Sequence, residues 1–204
     1  MQTTTIMAPY RTPHAAAPHE LETARVLLRP FAEGDLDRLC LLTGDPEVMR
    51  FIGEGRPLAR EETARNLLNI MASFWRRGFG RWALVHKQSG ALAGYCGLSA
   101  SNEEVGVELA YMLGREFWGR GLATEASRAC LRYGFEGLGL EEIAALTMPG
   151  NIRSRRVLDG LGMRLVGHAH FYGYDCVHYR MPRHDFRHDG SPYVARPLAP
   201  PREP

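Results

Sequence analysis

Lysine is nearly missing from this chain. Lys87 is the only one in 204 residues, so the other 24 of the 25 basic side chains are arginine. That absence excludes a phosphate loop of the GxxxxGK[ST] kind, which needs a lysine beside its glycines. Cysteine is also scarce, and Cys40, Cys96, Cys130 and Cys176 show no CxxC spacing. In their apolar surroundings they read as reduced core thiols of a cytoplasmic protein. No uncharged apolar run is long enough to span a bilayer, so no membrane partner is expected. The N-terminus has no basic region followed by an apolar run, so no signal peptide is expected. Neither sign of charge dominates. With 25 basic and 23 acidic residues the formal charge is +2, which does not suggest a protein that coats nucleic acid. No internal repeat is visible.

What is present is ordinary for a globular protein: 45% hydrophobic and 24% charged residues. The length suits one domain with tails. Residues 1–20 are rich in Ala, Pro, Thr and His without period and read as a disordered leader. Residues 183–204 are rich in Pro, Arg, His and Asp and read as a tail. The folded domain is expected over 21–182.

One stretch organises that domain, from Arg115 through Trp118-Gly119-Arg120-Gly121-Leu122-Ala123-Thr124-Glu125 to Ala126. The apolar run 107–113 before it reads as a buried strand. After it, apolar residues recur at Leu122, Ala126, Ala129, Cys130 and Tyr133, which is helical spacing. Two glycines thus stand at a helix start. Free amides and the positive end of the helix dipole make an anion site there, best suited to phosphate. Thr124 adds a hydroxyl. A dinucleotide fingerprint does not fit, because Thr124 stands where the third glycine of GxGxxG belongs. Gly114 to Trp118 also separate the strand from the glycines.

The rest of the chain reads as strands at 26–28, 82–85, 92–98, 107–113, 143–148, 164–167 and 176–181. Helices are expected from Gly34, from Pro46, over 61–77, after Gly121 and after Asn151. This order predicts a mixed sheet with helices on both faces.

The glycine stretch resembles the acyl-CoA pyrophosphate loop of the GCN5-related N-acetyltransferases (GNAT), [QR]-x-x-G-x-[GA], except at its first position. Trp118 there is similar to the branch that acetylates ribosomal-protein N-termini and its small-molecule relatives, where W-G-[KR]-G-x-[AG]-T-E-A is usual. Asp45-Pro46-Glu47-Val48-Met49, Gly94-Tyr95-Cys96-Gly97-Leu98 and Val107-Glu108-Leu109-Ala110-Tyr111 also look like that branch. So do Asn151, Ser154, Val157, Leu158, Gly162 and Met163, in the order of the family's second hallmark. The resemblance runs from about residue 21 to 181. It implies an α/β acyl-CoA N-acyltransferase fold, with a mostly antiparallel mixed sheet and acetyl-CoA as co-substrate.

The resemblance also implies site residues. Arg120, Gly121, Ala123 and Thr124 would hold the pyrophosphate. The backbone of Met112 and Leu113 would pair with the pantetheine arm like an added strand. Asn151 would contact the pantetheine, although an N-cap is an equally good role for it. Ser154 would lie near the sulfur and donate to the departing thiolate. Relatives of other branches carry a tyrosine acid where this chain has Leu158, so either Ser154 takes that role or the thiolate, a good leaving group, departs without a strong acid. Phe51, Glu54, Phe171, Tyr172 and Tyr174 would wall the acceptor site, with Glu54 and Asp175 suited to a cationic amine. The alternative for these is a solvated turn with aromatic anchors.

Glu108 stands out on its own, a carboxylate inside an apolar strand. Burial would raise its pKa and make it a candidate base for an ammonium; the alternative is a structural pair with an arginine. His170 is a second candidate base. His168, His170 and His178 lack the fixed spacing of a metal site, so no metal is expected.

The leading reading is an enzyme that acetylates a primary amine from acetyl-CoA by direct attack. A non-catalytic acyl-CoA sensor or scaffold and a nucleotide-binding module are the competing readings. Monomer and homodimer are both compatible with the sequence.

Overall fold

The computed structural model describes residues 17–102 and 105–199. The elements follow in the order β1 (His19–Glu22), β2 (Val26–Arg29), α1 (Leu36–Thr43), α2 (Pro46–Met49), α3 (Arg60–Arg77), β3 (Arg81–His86), β4 (Ala91–Asn102) and β5 (Gly106–Leu113). Then come α4 (Leu122–Arg132), which runs into a π-helical turn, β6 (Glu142–Thr147), α5 (Ile152–Gly160), β7 (Arg164–Phe171), β8 (Tyr174–Pro182) and β9 (Val194–Pro197).

Local chemistry accounts for the helix ends. Asp45 accepts from the Glu47 amide at 2.8 Å and Pro46 occupies the first turn of α2. In α3, Glu61 and Glu62 sit at the positive end of the helix and Arg76 and Arg77 at the negative end. Gly78, with φ 77°, closes α3 by returning its amide to the Phe74 carbonyl at 2.9 Å.

Nine strands form one sheet in the order β7-β8-β6-β5-β4-β3-β2-β1-β9. Every neighbouring pair is antiparallel except β5 and β6. Strand alternation divides the core in two. Trp82 and Leu84 face the cluster built with α4 and α5, while Ala83 between them faces the cluster under α1, α2 and α3. The mixed α/β class, the mostly antiparallel sheet and the helices on both faces are as the sequence predicts.

Two features were not predicted. Strand β1 straddles the expected boundary, with His19 and Glu20 in the expected leader, whose residues 1–16 lie outside the described residues. Residues 183–199 are not a free tail. Phe186 packs on Phe135 at 5.1 Å, Asp189 pairs with Arg128 at 2.9 Å, and the Arg132 guanidinium lies 4.7 Å over the Tyr193 ring. The segment ends as β9, paired with β1 at the sheet edge. Isolated aromatic and ionic anchors hold it, which leaves no periodicity to read.

The parallel pair decides where a ligand can enter. Among the described residues β5 and β6 pair only at Glu108 and Ala144. Beyond that point no further backbone pairing joins the two strands among the described residues, and α4 and α5 both start at that end. There lies a cleft of about 990 Å³ lined by the ends of β5 and β6, the starts of α4 and α5, the stretch after α2, and the β7–β8 turn.

Candidate active site

One end of the cleft is a backbone site. Trp118 donates its indole N–H to the Leu113 carbonyl at 2.7 Å, which ties the glycine turn to the end of β5. Gly119 and Gly121 have φ of 72° and 75°, in the region that disfavours side chains. A Cβ on Gly119 would project into open space, and both glycines line the cleft. Gly121 caps α4 with no side-chain hydrogen bond, and the first helical bond is Glu125 N–H to the Gly121 carbonyl at 3.0 Å. The amides of Leu122, Ala123 and Thr124 therefore have no intrahelical acceptor and suit a phosphate.

The turn is braced from behind. Glu125 accepts from the Thr23 hydroxyl at 2.6 Å and from the backbone and side chain of Arg25 at 2.8 and 2.6 Å. Arg25 also donates to the Arg120 carbonyl at 2.8 Å. Burial opposes the charge on Glu125, but the Thr23 and Arg25 hydrogen bonds outweigh it and hold the carboxyl below its usual range. Arg120 itself turns away. Its guanidinium sits 5.9 Å over the Phe117 ring, and it is not among the cleft-lining residues, unlike Gly121, Ala123 and Thr124. Two cations that the sequence reading missed line this end instead, Arg153 and Arg156, three apart at the start of α5. The Arg153 guanidinium stacks 4.4 Å over Trp118.

Midway, Met112 and Leu113 line the cleft while their side chains belong to the two cores. Asn151 is the N-cap of α5 and accepts from the Ser154 amide at 3.2 Å. The Ser154 hydroxyl lies 2.9 Å from the Tyr111 hydroxyl, which also reaches the Ser154 carbonyl at 3.1 Å. Burial pushes the Tyr111 phenol above its ordinary range, so it stays protonated. When Tyr111 donates to Ser154 Oγ, the serine proton is free for the cleft. A tyrosine thus approaches this point from β5, where the position of Leu158 on α5 offers none.

The far end is built from side chains. Glu108 is only 8% exposed, and burial raises its carboxyl pKa, against the lowering effects of Arg81 and of a hydrogen bond from Tyr172. That bond runs from the Tyr172 hydroxyl to Glu108 Oε1 at 3.3 Å. Tyr172 reaches it from the two-residue β7–β8 turn, where Tyr172 and Gly173 have φ of 56° and 82°. Consecutive positive φ values are the type I′ pattern of tight hairpins. Tyr95, Arg81, Phe51, Glu54 and Tyr174 line the same end.

Three expectations need correction here. His170 sits on the outermost strand, its side chain exposed and 3.0 Å from Asp175, and neither lines the cleft. Phe171 packs edge-on against His178 at 5.6 Å and also lies outside the lining. Glu54 lines the cleft, but its carboxylate is paired with Arg56 at 2.7 Å, which also pairs with Glu62 at 2.7 Å. Burial and nearby Arg180 lower the His178 pKa to about 4, so it is neutral at pH 7. Among the described residues no three His, Cys, Asp or Glu side chains are grouped to hold a metal, and no helix is long and apolar enough to cross a membrane.

Against known proteins, residues 25–164 match the family model described as an acetyltransferase (GNAT) domain. The chain is 32% identical over 149 residues to the uncharacterised N-acetyltransferase p20 of Bacillus licheniformis, covering 72% of this chain and 83% of that one. It is 34% identical over 157 residues to the FsC-acetyl coenzyme A-N(2)-transacetylase of Aspergillus fumigatus, covering 72% and 65%. A crystal structure of an acetyltransferase from Agrobacterium tumefaciens superposes with a TM-score of 0.70 at 26% identity, covering 79% of this chain and 93% of that one.

Proposed function

The chain belongs to the acetyltransferase (GNAT) family, and from that premise we propose that it moves an acetyl group from acetyl-CoA to a primary amine by direct attack in a ternary complex. The observation that carries this reading is a single cleft with unpaired helix amides at one end and a buried, hydrogen-bonded carboxylate at the other. The Aspergillus relative's name, a transacetylase from acetyl coenzyme A to an N(2) position, supports a nitrogen acceptor.

The geometry supports the following roles. The amides of Leu122, Ala123 and Thr124 bind the pyrophosphate, with Arg153 and Arg156 adding positive charge. The free edge of β5 beyond Glu108 offers backbone groups to the pantetheine arm, and one of its amides polarises the thioester carbonyl. Glu108 takes the proton of the incoming ammonium, helped by its raised pKa. Ser154, oriented by Tyr111 and by Asn151, donates to the departing thiolate. Cys176 lines the cleft, but burial pushes its thiol up, which makes it a poor nucleophile and favours direct transfer over a covalent intermediate.

The test has two parts. CoA at 100 times its dissociation constant should stabilise the protein by about 2.7 kcal/mol. A thermal shift with ATP and none with CoA would sink the reading. Thiol release from acetyl-CoA is then measured across a panel of amines; CoA binding without release for any amine would favour a sensor.

A further inference from the structure

Arg81 is the cation at the acceptor end to which acetyl transfer assigns no task. It opens β3 opposite Gly97 of β4, which in turn stands opposite Ala110 of β5. Glu108 lies two residues before Ala110, on the same face of β5. Ser99 of β4 stands directly opposite Glu108, so between Arg81 and Glu108 this face of the sheet carries only the small residues Gly97, Ala110 and Ser99. Gly97 cannot bear more, since a Cβ there would come within 2.2 Å of the Gly80 carbonyl oxygen. The Arg81 guanidinium rests 5.3 Å over the Tyr95 ring, and its Nε is buried with no hydrogen-bond partner among the described residues. Arg81 acts on the Glu108 charge, yet among the described residues no ion pair joins them.

A cation and a carboxylate thus face one cleft across a low floor, and the cation has a buried Nε without a partner among the described residues. Charges withdrawn from water are costly unless paired. A molecule that carries an ammonium and an anion a few bonds apart would satisfy both at once.

We propose that the acceptor is a zwitterion, an amino-acid-like molecule whose amine meets Glu108 while its carboxylate is held by Arg81. This rests on the acetyl-transfer reading and narrows it. Glu108 takes one proton from the ammonium, the nitrogen forms a bond to the acetyl carbon, and the carbon–sulfur bond breaks. The thiolate leaves and receives, by way of Ser154, the second proton that the nitrogen sheds as the amide forms, and the carboxylate on Arg81 is unchanged. Arginine suits that last role because its planar fork binds a carboxylate through two hydrogen bonds.

The experiment measures thiol release from acetyl-CoA by the full chain with matched sets: α- and β-amino acids, their carboxamides, and the same amines without the carboxylate. Rates are corrected for the fraction of free amine. The expected result is a kcat/KM for the acids at least about tenfold above both partners in each set, the scale of a hydrogen bond to a charged group. Arg81→Gln should collapse that ratio, mainly through KM of the acids, and Arg81→Lys should keep part of it. A wild-type protein that prefers the carboxamides or the simple amines, or shows no preference, would overturn the proposal and leave acetyl transfer standing. An Arg81→Gln effect equal on all three members would overturn the assignment to Arg81. Release with none of the amines would overturn both readings.

Discussion

At one end of the cleft the binding groups are backbone amides of a single turn, while at the other they are side chains drawn from β3, β4, β5 and the β7–β8 hairpin. Each end also has its carboxylate, and the two behave in opposite ways. Glu125 sits behind the glycine turn under three hydrogen bonds, and its pKa is lowered. Glu108 has one longer bond from Tyr172, and burial dominates, so its pKa is raised. Hydrogen bonds to the charged form make a structural brace. Desolvation with few donors makes a group that holds its proton to a higher pH. The pair shows how the same residue type is assigned to holding or to chemistry by its donors.

The largest effect should come from removing the exchangeable charge. Glu108→Gln is expected to lower kcat/KM by about 10²–10⁴ while CoA affinity barely changes, as for loss of a general base. The loss should shrink at high pH, where the amine is already neutral. Wild-type activity should fall on acidification at a pH above the ordinary carboxylate range, because the Glu108 pKa is raised. A normally active Glu108→Gln protein would place the base elsewhere.

The backbone end is tested by a matched pair of glycines. Gly119 and Gly90 have φ of 72° and 66°, and a Cβ would meet nothing within 4 Å at either. Each Gly→Ala change should cost about 1–2 kcal/mol of stability from the left-handed backbone alone. Only Gly119→Ala should also reduce the CoA-induced stabilisation of about 2.7 kcal/mol. Equal CoA shifts in both variants would mean that no ligand approaches the Gly119 backbone.

The brace is next. Glu125→Gln should cost about 1–3 kcal/mol at pH 7, the scale of hydrogen bonds to a charged group. Because the folded pKa is lowered, this stability is present above the unfolded carboxylate value and is lost as pH falls through the folded one. The difference between variant and wild type should therefore disappear in acid. Glu108 must show the opposite sign. Its raised pKa makes the charged form a burden on the fold, relieved as pH falls. A denaturant series at several pH values that gave both variants the same slope would break the comparison.

The smallest effect concerns the shared middle of the cleft. Tyr111→Phe leaves the ring in the core and removes the hydroxyl that orients Ser154. A loss of about tenfold in kcat is expected, the equivalent of about 1.4 kcal/mol and one neutral hydrogen bond. KM for acetyl-CoA should stay near wild type. An unchanged kcat would mean that the thiolate leaves without help from Ser154.

The sequence by itself determined the backbone end and the frame around it. A strand, two glycines and an amphipathic helix are adjacent in the chain, so their geometry follows from local rules. The same holds for Asn151 and Ser154, three apart on one helix start. Tertiary structure decided how the acceptor end is assembled and brought Arg81 and Tyr95 into it. Arg81, Tyr95, Glu108 and Tyr172 lie far apart in the chain and meet only because β3, β4 and β5 are neighbours and the β7–β8 turn reaches across. Nothing local distinguishes Tyr172, which reaches Glu108, from Phe171, which packs on His178 instead. The raised pKa of Glu108 was legible from its place in an apolar strand, whereas the lowered pKa of Glu125 was beyond the sequence. That lowering depends on how many donors arrive from elsewhere and how much water they displace, and both are properties of packing.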